Sequence, residues 1–403
     1  MTESKVTAGD PGMKARGPNN ESLQVMHCVP IFSELTQTFV YDLVTTMAQR
    51  DTGIEPRVLT WCRRNEVERH FAAVETVHPP SRSQVLRIRL GRSLPSWLEY
   101  GVMPVTRFER HVARVLAASR TQLAHAHFGW TAIWVARACR RASVPLVVTF
   151  RGRDASAKLR KRRWRRTLEQ VAGAAFVSDD LRRQMEPILP DTLPTRVILG
   201  GKQLRNLGFR APPEPRGRLI SIGRLIEKKG HADAIRAVAR ARNAGVDASL
   251  TIIGEGPLRR ELEAEIERHA LGHAITLAGA IPFECVVEHL RAADFLIAAN
   301  RTAANGDSEG IPNVVKEAQL IGLPLVATEH GGLPQAVPPE ARVSLVPEGD
   351  VAGLAERIVA LCAATAETLE PAARAGREHV LRTFDPDREV AAYHDFYTQL
   401  LRP

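Results

Sequence analysis

Aromatic residues are scarce in this sequence, since Phe, Trp and Tyr make up only 5% of its 403 residues. Proteins that bind single-stranded nucleic acid usually stack bases on exposed aromatic rings. No recognisable nucleic-acid-binding motif accompanies the basic residues of this chain either. We therefore expect no nucleic-acid partner.

Cysteine is also rare, and none of the five cysteines belongs to a C-x-x-C pair. An odd, dispersed set argues against a disulfide framework and against a structural zinc site. It favours a reducing compartment, where free thiols persist. The five residues are Cys28, Cys62, Cys139, Cys285 and Cys362.

Long hydrophobic runs are missing as well. No stretch approaches the roughly 18 apolar residues that a membrane-spanning helix needs. Residues 1–22 lack the apolar core of a signal peptide, and their Gly, Pro, Asn and Ser content predicts a disordered tail. These absences predict a cytoplasmic protein, with the inner face of the plasma membrane as a further candidate location.

What the chain does have is length and positive charge. A single core rarely serves 403 residues, so two domains are expected. The net charge of +10 suggests anionic partners. A Gly- and Pro-rich stretch marks the connection between the domains. The predicted division is a tail at 1–22, a first domain at 23–200, a linker at 201–217, a second domain at 218–385, and a helix at 386–403 that packs back toward the first domain.

Apolar strand-like runs alternate with helix-period segments through both halves. In the first half such runs lie at 57–61, 85–90, 123–128 and 146–150, with helices predicted at 107–120 and 130–143. Strands that alternate with helices form a parallel sheet covered on both faces. The fold class is therefore α/β, with two doubly wound domains, and ligands should sit beyond the carboxyl ends of the strands.

That rule selects two sites in the first half. His125 and His127 share one face of a strand, and Arg151 and Asp154 follow the next strand. A functional role for His127 competes with a plain one, in which a strand-end histidine hydrogen-bonds a loop. Arg151 and Asp154 could likewise form a structural ion pair.

A strongly basic run lies between Lys158 and Arg166, with seven bases in KLRKRRWRR around Trp164. Such a run is typical of a solvated helix face. It is also typical of a patch that contacts an anionic membrane surface. Both interpretations stay open at this point.

The second half contains a helix start that looks prepared for an anion. Pro312 suits the first turn of a helix that continues from Asn313, and helix N-termini attract anions. Arg224 and Lys229 follow the first strand of this half, and Gly223 beside them permits a ligand to approach the backbone closely. Two cations and a helix N-terminus would balance a diphosphate without a metal. The alternative is that both cations are surface charges.

Two glutamates flank this helix start. Glu309 precedes it, and Glu317 lies one turn beyond Asn313 on the same face, where its carboxylate could hold sugar hydroxyls such as those of a ribose. A solvated glutamate is the plain alternative. Clustered oxygens at Asp307-Ser308-Glu309 and at Asp385-Pro386-Asp387 raise the alternative of a metal site. We expect no metal, because basic residues are expected beside Glu309.

Taken together, these motifs resemble the retaining glycosyltransferases of family 4, which have the GT-B architecture of two facing Rossmann-like domains. The resemblance extends from about residue 23 to 400 and is most specific in the second half. The motifs that carry it are Ser221-Ile222-Gly223-Arg224-Leu225, Lys229-Gly230, Ile253-Gly254-Glu255-Gly256-Pro257, the E-x7-E element from Glu309 to Glu317, and Gly331-Gly332.

The resemblance implies a role for each matching residue. Arg224 and Lys229 would bind the donor diphosphate, Glu309 would contact the donor sugar, and Glu317 would hold the nucleotide ribose. The other implied donor-binding residues are Gly223, Gly254, Gly310, Ile311, Pro312 and Asn313. The co-substrate would be a nucleoside-diphosphate sugar, with no further cofactor and no metal.

The first half resembles the subgroup that builds bacterial exopolysaccharide or lipopolysaccharide. His125-Ala126-His127-Phe128-Gly129 is similar to its H-A-H-F-G motif. Its T-F-H-G-x-D motif departs here, because Arg151 replaces the histidine in Thr149 to Asp154. Either His127 takes over that role, or Arg151 supplies a cation where charge develops on the leaving phosphate. We count Glu309, His127 and Arg151 as candidate catalytic residues.

The resemblance implies transfer of a hexose-type sugar, with retention of configuration, to a hydroxyl of a glycan, glycolipid or small molecule in cell-surface polysaccharide biosynthesis. Front-face attack, with the leaving phosphate accepting the proton, would need no enzymic nucleophile. Two alternatives use the same two-domain plan: a sugar-nucleotide 2-epimerase, and a non-catalytic sugar-nucleotide-binding protein.

Overall fold

The computed structural model describes residues 22–33, 38–79, 81, 83, 105–152, 161–201 and 207–402. The predicted strand at 85–90, Asp154 and residues 158–160 of the basic run lie outside these ranges. The statements below concern the described part of the chain.

The first half forms a parallel sheet of seven strands in the order β3-β2-β1-β4-β5-β6-β7. Such an order, with the first strand inside the sheet, is the doubly wound arrangement predicted from the alternation of strands and helices. The strands are β1 (Leu23–Phe32), β2 (Ile54–Arg63), β3 (Val74–Thr76), β4 (Leu123–His127), β5 (Leu146–Phe150), β6 (Gly173–Phe176) and β7 (Thr195–Val197).

Five helices accompany this sheet: α1 (Thr38–Gln49), α2 (Arg107–Ala118), α3 (Gly129–Arg141), α4 (Lys161–Leu168) and α5 (Asp179–Met185). Helix α2 begins where Thr106 and Glu109 form a capping box, which satisfies two backbone N–H groups at the helix start. Strands β4 and β5 are buried along their whole length, as expected for a sheet with both faces covered.

The second half forms a parallel sheet of five strands in the order β10-β9-β8-β11-β12. Its strands are β8 (Arg218–Ile222), β9 (Ser249–Ile253), β10 (Ile275–Gly279), β11 (Phe295–Ala298) and β12 (Leu325–Ala327). Its helices are α6 (His231–Asn243), α7 (Arg259–Arg268), α8 (Phe283–Ala292), α9 (Asn313–Ile321), α10 (Leu333–Ala336), α11 (Val351–Cys362) and α12 (Ala366–Thr383). The prediction of two doubly wound parallel-sheet domains is confirmed.

Local chemistry moves a few boundaries away from their predicted positions. Pro312 is the cap residue before α9 rather than part of its first turn. Helix α12 starts at Ala366, because Thr365 caps it by accepting the N–H of Thr368. Strand β3, a three-residue edge strand, has too little apolar pattern to be predicted.

A last helix, α13 (Pro386–Leu401), packs against the first domain. Tyr393, Phe396 and Tyr397 are buried in one cluster with Val25 of β1 and Val147 of β5. Asp385 caps this helix by accepting the N–H of Asp387 at 2.7 Å. That cap accounts for the acidic pair around Pro386, which was one of the alternative metal sites.

Among the described helices, none is both long enough and apolar enough to cross a membrane.

Candidate active site

A cavity of about 420 Å³ lies between the two domains, beyond the carboxyl ends of both sheets. It contains most of the residues predicted for the donor site. From the second half its lining includes Gly223, Arg224, Lys229, Glu309, Gly310, Ile311, Pro312, Asn313 and Glu317. From the first half it includes Phe39, Asp42, Arg151 and Val177.

Glu309 sits at the centre of this cavity between two ammonium groups. Its Oε1 lies 3.2 Å from Nζ of Lys229 and 3.4 Å from Nζ of Lys228. Burial alone would raise the pKa of the carboxyl, but the charges of Lys229 and Lys228 outweigh it and hold the pKa of Glu309 below its ordinary value. Glu309 is therefore an ionised carboxylate, able to accept hydrogen bonds or to stabilise positive charge.

Lys228 is a site residue that the sequence did not single out. Its side chain is buried, and Nζ lies 3.0 Å from Oδ1 of Asp307 and 3.2 Å from the carbonyl of Ser308. The pairing of Asp307 with an ammonium group gives this acidic stretch a structural partner that is not a metal. The chain turns tightly at residues 227–229, and both ammonium groups reach the same oxygen of Glu309, Lys228 from a buried position and Lys229 from a half-buried one.

The backbone of Glu309 is held in place by contacts with His330 and Gly331. Its N–H donates to Nε2 of His330 at 3.1 Å, so the proton of that ring is on Nδ1, which donates to Glu348 at 2.5 Å. Gly331, at φ +55°, lies so close that a Cβ there would stand 2.3 Å from the Glu309 carbonyl oxygen. The conformation of the first glutamate thus depends on the Gly331-Gly332 pair.

Helix α9 opens directly onto the cavity. Pro312 caps it without a side-chain hydrogen bond, so the N–H groups of Asn313 and Val314 have no side-chain cap, whereas that of Val315 donates to the Pro312 carbonyl. Gly310, just before it, lies against the first domain: a Cβ there would lie 2.9 Å from Val177 and 3.1 Å from the carbonyl of Arg151. A side chain at this position would push the domains apart.

Arg224, Asn313 and Glu317 complete the second-domain wall. Arg224 is exposed at the mouth of the cavity, whereas Glu317 is mostly buried in it. Together they line the same cavity as the start of α9, so a cation and a carboxylate accompany one anion-attracting helix end. This geometry can accommodate a ligand that carries both phosphates and hydroxyls.

Two glycines allow the loops of this wall to pack tightly. At Gly254 (φ +145°) a Cβ would stand 1.9 Å from the carbonyl oxygen of Gly223, so no other residue fits without moving the backbone. At Gly223 (φ +155°) a Cβ would stand 2.9 Å from the Lys229 side chain. Gly223 therefore borders the cavity, while Gly254 supports it from behind.

The first-domain wall is built differently, around three buried histidines. Nδ1 of His27 lies 3.0 Å from Nε2 of His127, and the two rings stack. Nε2 of His125 lies 2.7 Å from the hydroxyl of Thr149, and its Nδ1 lies 2.6 Å from the hydroxyl of Tyr397 on α13. The terminal helix thus completes the hydrogen bonding of this wall.

These histidines are neutral. Burial, reinforced by the charge of Arg151, lowers the pKa of His27 to about 3. Burial and the neighbouring cationic groups also hold the pKa values of His125 and His127 well below 6.5. Arg151 can only donate, so its Nη2, 3.4 Å away, fixes Nδ1 of His127 as an acceptor and leaves the ring proton on Nε2 for His27.

His127 therefore lies behind Arg151 rather than on the cavity wall. It is 0% exposed, and Arg151 separates it from the cavity. Phe39 packs against the guanidinium of Arg151 at 4.3 Å and holds it in place from the other side. In this arrangement His127 holds Arg151 from behind, and Arg151 is the residue that lines the cavity.

The three histidines could also be considered as metal ligands. One nitrogen from each lies within 4.8 Å of the others. Five of their six ring nitrogens, however, are engaged in the hydrogen bonds described above. The sixth, Nε2 of His27, is buried and has no hydrogen-bond partner among the described residues. A guanidinium group adjoins them, which disfavours a second cation. This donor set fits a hydrogen-bond network better than a metal ion.

One peptide of the connection between the domains is held from both sides. The carbonyl of Gly200 accepts from Nζ of Lys316 on α9 at 3.1 Å, and the N–H of Gly201 donates to Glu389 on α13 at 2.8 Å. Both glycines line the cavity. Burial raises the pKa of Glu389 to about 7, although Arg151 and the Gly201 N–H partly oppose this. The sequence had no local signal for either contact.

The basic run is only partly described. Trp164 is buried, with its ring edge-on to Phe150 at 5.4 Å and directly beneath Gly129. It is therefore a core residue, and nothing among the described residues supports contact of this run with a membrane.

Comparisons with known proteins agree with this geometry. Residues 36–201 match the family model described as Glycosyltransferase Family 4, and residues 216–364 match the model described as Glycosyl transferases group 1. The two matches fall on the first and the second domain and together leave only the ends and the connection uncovered.

Two relatives come from exopolysaccharide biosynthesis. The putative colanic acid biosynthesis glycosyltransferase WcaL of Escherichia coli (strain K12) is 36% identical over 186 residues, which is 45% of this chain and 46% of WcaL. The amylovoran biosynthesis glycosyltransferase AmsK of Erwinia amylovora is 36% identical over 168 residues, 42% of this chain and 41% of AmsK. The matched segment thus spans less than half of the length of these relatives.

The structural comparison extends over nearly the whole chain. The crystal structure of Anabaena Alr3699/HepE in complex with UDP and glucose superposes with a TM-score of 0.71 at 17% identity, over 94% of this chain and 100% of that one. At this identity the likeness shows the fold alone, and it confirms the GT-B architecture predicted from the sequence. With both domains matched by their family models, the chain belongs to glycosyltransferase family 4.

Proposed function

We propose that this protein is a retaining, metal-independent glycosyltransferase. It transfers a hexose-type sugar from a nucleoside-diphosphate sugar to a hydroxyl of a glycan, glycolipid or small-molecule acceptor, in the biosynthesis of a cell-surface polysaccharide. The observation that carries this proposal is the ionised Glu309, held between Lys228 and Lys229 beside the open N-terminus of α9. We place the reaction in the cytoplasm, in line with the dispersed cysteines.

The donor diphosphate would bind where three positive elements converge. Arg224 stands exposed at the cavity mouth, Lys229 lies inside, and α9 presents its first N–H groups. Lys229 exchanges part of its contact with Glu309 for a phosphate oxygen, while Lys228 remains paired with Asp307 and Glu309. These charges stabilise the leaving diphosphate, which is the largest charge that develops in the reaction.

Glu309 and Glu317 would hold the hydroxyl groups of the donor. Glu309 precedes α9, lies toward the first domain and faces the sugar. Glu317 lies within α9, one helical turn beyond Asn313, and faces the ribose. Arg151 approaches from the opposite wall, where it adds positive charge next to the scissile bond. The leaving phosphate accepts the proton of the acceptor hydroxyl, so the site needs no enzymic nucleophile.

Two variants test the donor site. Glu309→Ala and Lys229→Ala each lower turnover of a nucleoside-diphosphate sugar by at least about tenfold, a loss of roughly 1.4 kcal/mol in transition-state stabilisation. Arg260→Ala, on the exposed side of α7, is the matched control and keeps full turnover. Near-native activity in both site variants would sink the assignment.

Three measurements test the finer points. Retention predicts that the product keeps the anomeric configuration of the donor in a nuclear magnetic resonance spectrum. Metal independence predicts unchanged turnover after dialysis against a chelator.

Incubation with donor alone separates the alternative functions. An epimer formed without acceptor would indicate a 2-epimerase, and tight donor binding with no turnover would indicate a binding protein. The matched relatives, named as glycosyltransferases, favour neither alternative.

A further inference from the structure

A second cavity, of about 990 Å³, lies on the first domain away from the donor-binding loops. It runs along the outer side of α2, and we call it the α2 groove. Six of its lining residues are basic: His78, Arg107, Arg110, His111, Arg114 and Arg141. Among the described residues that line this cavity, none carries a carboxylate.

The sequence of α2 explains the stripe of positive charge. Arg107, Arg110, His111 and Arg114 recur at helical spacing and are all exposed, so they form one face of the helix. The opposite face is apolar and buried against the sheet. The helix therefore offers its whole outward surface to an anion.

The acidic residue of this helix does not offset that charge. Glu109 is turned inward, where it accepts from the N–H and the hydroxyl of Thr106 at 2.8 and 3.0 Å. Its other oxygen lies 3.8 Å from Arg137. The neighbouring residues 80–104 contain four arginines and one glutamate, so the local sequence brings no excess of acid.

The spread of the arginines indicates an extended ligand. Arg107 and Arg114 are seven residues apart, which is roughly 10 Å along a helix that rises about 1.5 Å per residue. A single phosphate cannot reach both. Guanidinium groups bind carboxylate, sulfate and phosphate oxygens with two parallel hydrogen bonds, so a chain with repeated anionic groups fits the groove.

The shape and composition of the groove favour a glycan over other polyanions. A bilayer is flat and is met by protruding apolar side chains, but none of the exposed large hydrophobic residues among the described positions lines this groove. Single-stranded nucleic acid is usually bound by stacking on exposed aromatic rings, and Phe108, the aromatic residue in the described lining, is only 5% exposed. We propose that the α2 groove binds an anionic glycan chain.

One end of the groove lies at the sheet edge that also borders the active site. Strand β3 ends at Thr76 and α2 begins after Thr106, so this end of the groove is at the carboxyl edge of the seven-stranded sheet. The donor cavity lies beyond the same edge. A glycan bound in the groove would have one end at this edge, and its further role as the acceptor chain rests on the proposed function.

The binding site is tested by direct titration. A fluorescently labelled short oligogalacturonate, whose sugar units carry carboxylates, is titrated with the full chain and followed by anisotropy. The wild type should bind it, more weakly as salt is added, and should not bind a neutral dextran oligomer of the same length. Arg110→Gln with Arg114→Gln should weaken binding by at least about tenfold, since glutamine keeps the helix but removes both charges.

The control removes the same number of exposed arginines elsewhere. Arg240→Gln with Arg260→Gln should leave binding unchanged. Equal loss in both double variants would reduce the effect to net charge and overturn the proposal. So would undiminished binding by the groove variant.

The same variants distinguish the other polyanions and the proposed function. If the groove variant loses binding to phosphatidylglycerol vesicles or single-stranded DNA but not to oligogalacturonate, the glycan assignment is wrong. Hydrolysis of donor without acceptor should be the same in the groove variant as in the wild type. Absence of donor turnover in every variant would contradict the proposed function while leaving the glycan titration fully interpretable.

Discussion

On the second-domain wall of the cleft, the charges are ionised and paired: Glu309 lies between two lysines, and Arg224 faces solvent. On the first-domain wall, the three histidines are buried and neutral, because burial holds the pKa values of His27, His125 and His127 far below their ordinary value. The second-domain wall can exchange its ion pairs for those of a ligand. The first-domain wall cannot change its charge without breaking a packed network.

This difference assigns different tasks to the two walls. A wall of mobile ion pairs suits a diphosphate that must bind and leave. A wall of neutral histidines behind Arg151 holds one guanidinium in a fixed position, since Arg151 donates to His127 and His127 donates to His27. The ring of His125 packs against His127 at 4.2 Å and is itself held by the hydroxyls of Thr149 and Tyr397. Substitutions on the second-domain wall should therefore affect the exchange of ligands, and substitutions on the first-domain wall should affect how rigidly Arg151 is held.

The largest effect is expected on the free energy of unfolding, when an ion-pair partner is removed from the second-domain wall. Lys228→Met leaves the mostly buried Asp307 without its ammonium partner and should lower the free energy of unfolding by about 3–5 kcal/mol. Arg259→Met is the matched control, because Arg259 pairs with Glu255 and Glu263 at the surface and should cost less than about 1 kcal/mol. Urea denaturation followed by circular dichroism measures both, and equal losses would refute the view that this pair is structurally important.

The next effect tests the fixed guanidinium. Arg151→Gln should lower turnover by about 10²- to 10³-fold, the range seen when one pre-positioned donor to a developing charge is lost. Arg151→Lys keeps the charge but loses the fork, so its loss should be intermediate. Steady-state kinetics with a nucleoside-diphosphate sugar provide the measurement. If Arg151→Gln retained turnover within about threefold, this wall would have no electrostatic role in the reaction.

The same contrast explains what could be predicted from the sequence. Arg224, Lys229, Glu309 and Asn313 lie in short motifs, because glycine loops and a helix start bring near neighbours in the chain to one sheet edge. The doubly wound fold followed from strand and helix periodicity for the same reason. These features have local signals.

The unpredicted residues depend on distant contacts. Tyr397 bonds His125 from 272 residues away, and Glu389 bonds Gly201 across 188 residues. Neither residue stands out in its own helix. Lys228 was missed for a different reason, since in Lys228-Lys229 only the tight turn decides which side chain points inward.

The buried network predicts a smaller effect at Tyr397. Tyr397→Phe removes the hydroxyl next to Nδ1 of His125 and leaves a buried ring nitrogen without a partner, at a cost of about 1–3 kcal/mol. Tyr41→Phe, which removes an exposed contact of 3.3 Å to the carbonyl of His70, should cost about 0.5 kcal/mol or less. All five tryptophans lie between Trp61 and Trp164, so their fluorescence during urea denaturation reports on this half of the chain. Similar losses in the two variants would show that the hydroxyl of Tyr397 contributes nothing to the network.

A last effect depends on pH and comes from Glu389, and its sign opposes that of the histidines. Burial raises the pKa of Glu389 from 4.5 to about 7, so the folded state holds a proton that the unfolded state has lost, and this stabilisation disappears as pH rises from about 4.5 to about 7. The buried histidines have the reverse effect, because their contribution to the stability of the folded protein is lost as pH falls below about 6.5.

Glu389→Gln still accepts from Gly201 but cannot ionise. Relative to the wild type it should therefore gain about 1.4 kcal/mol for each pH unit across that window. The exposed Glu378→Gln is the control, and unfolding measured at several pH values would contradict the assignment if the difference between Glu389→Gln and wild type did not change with pH.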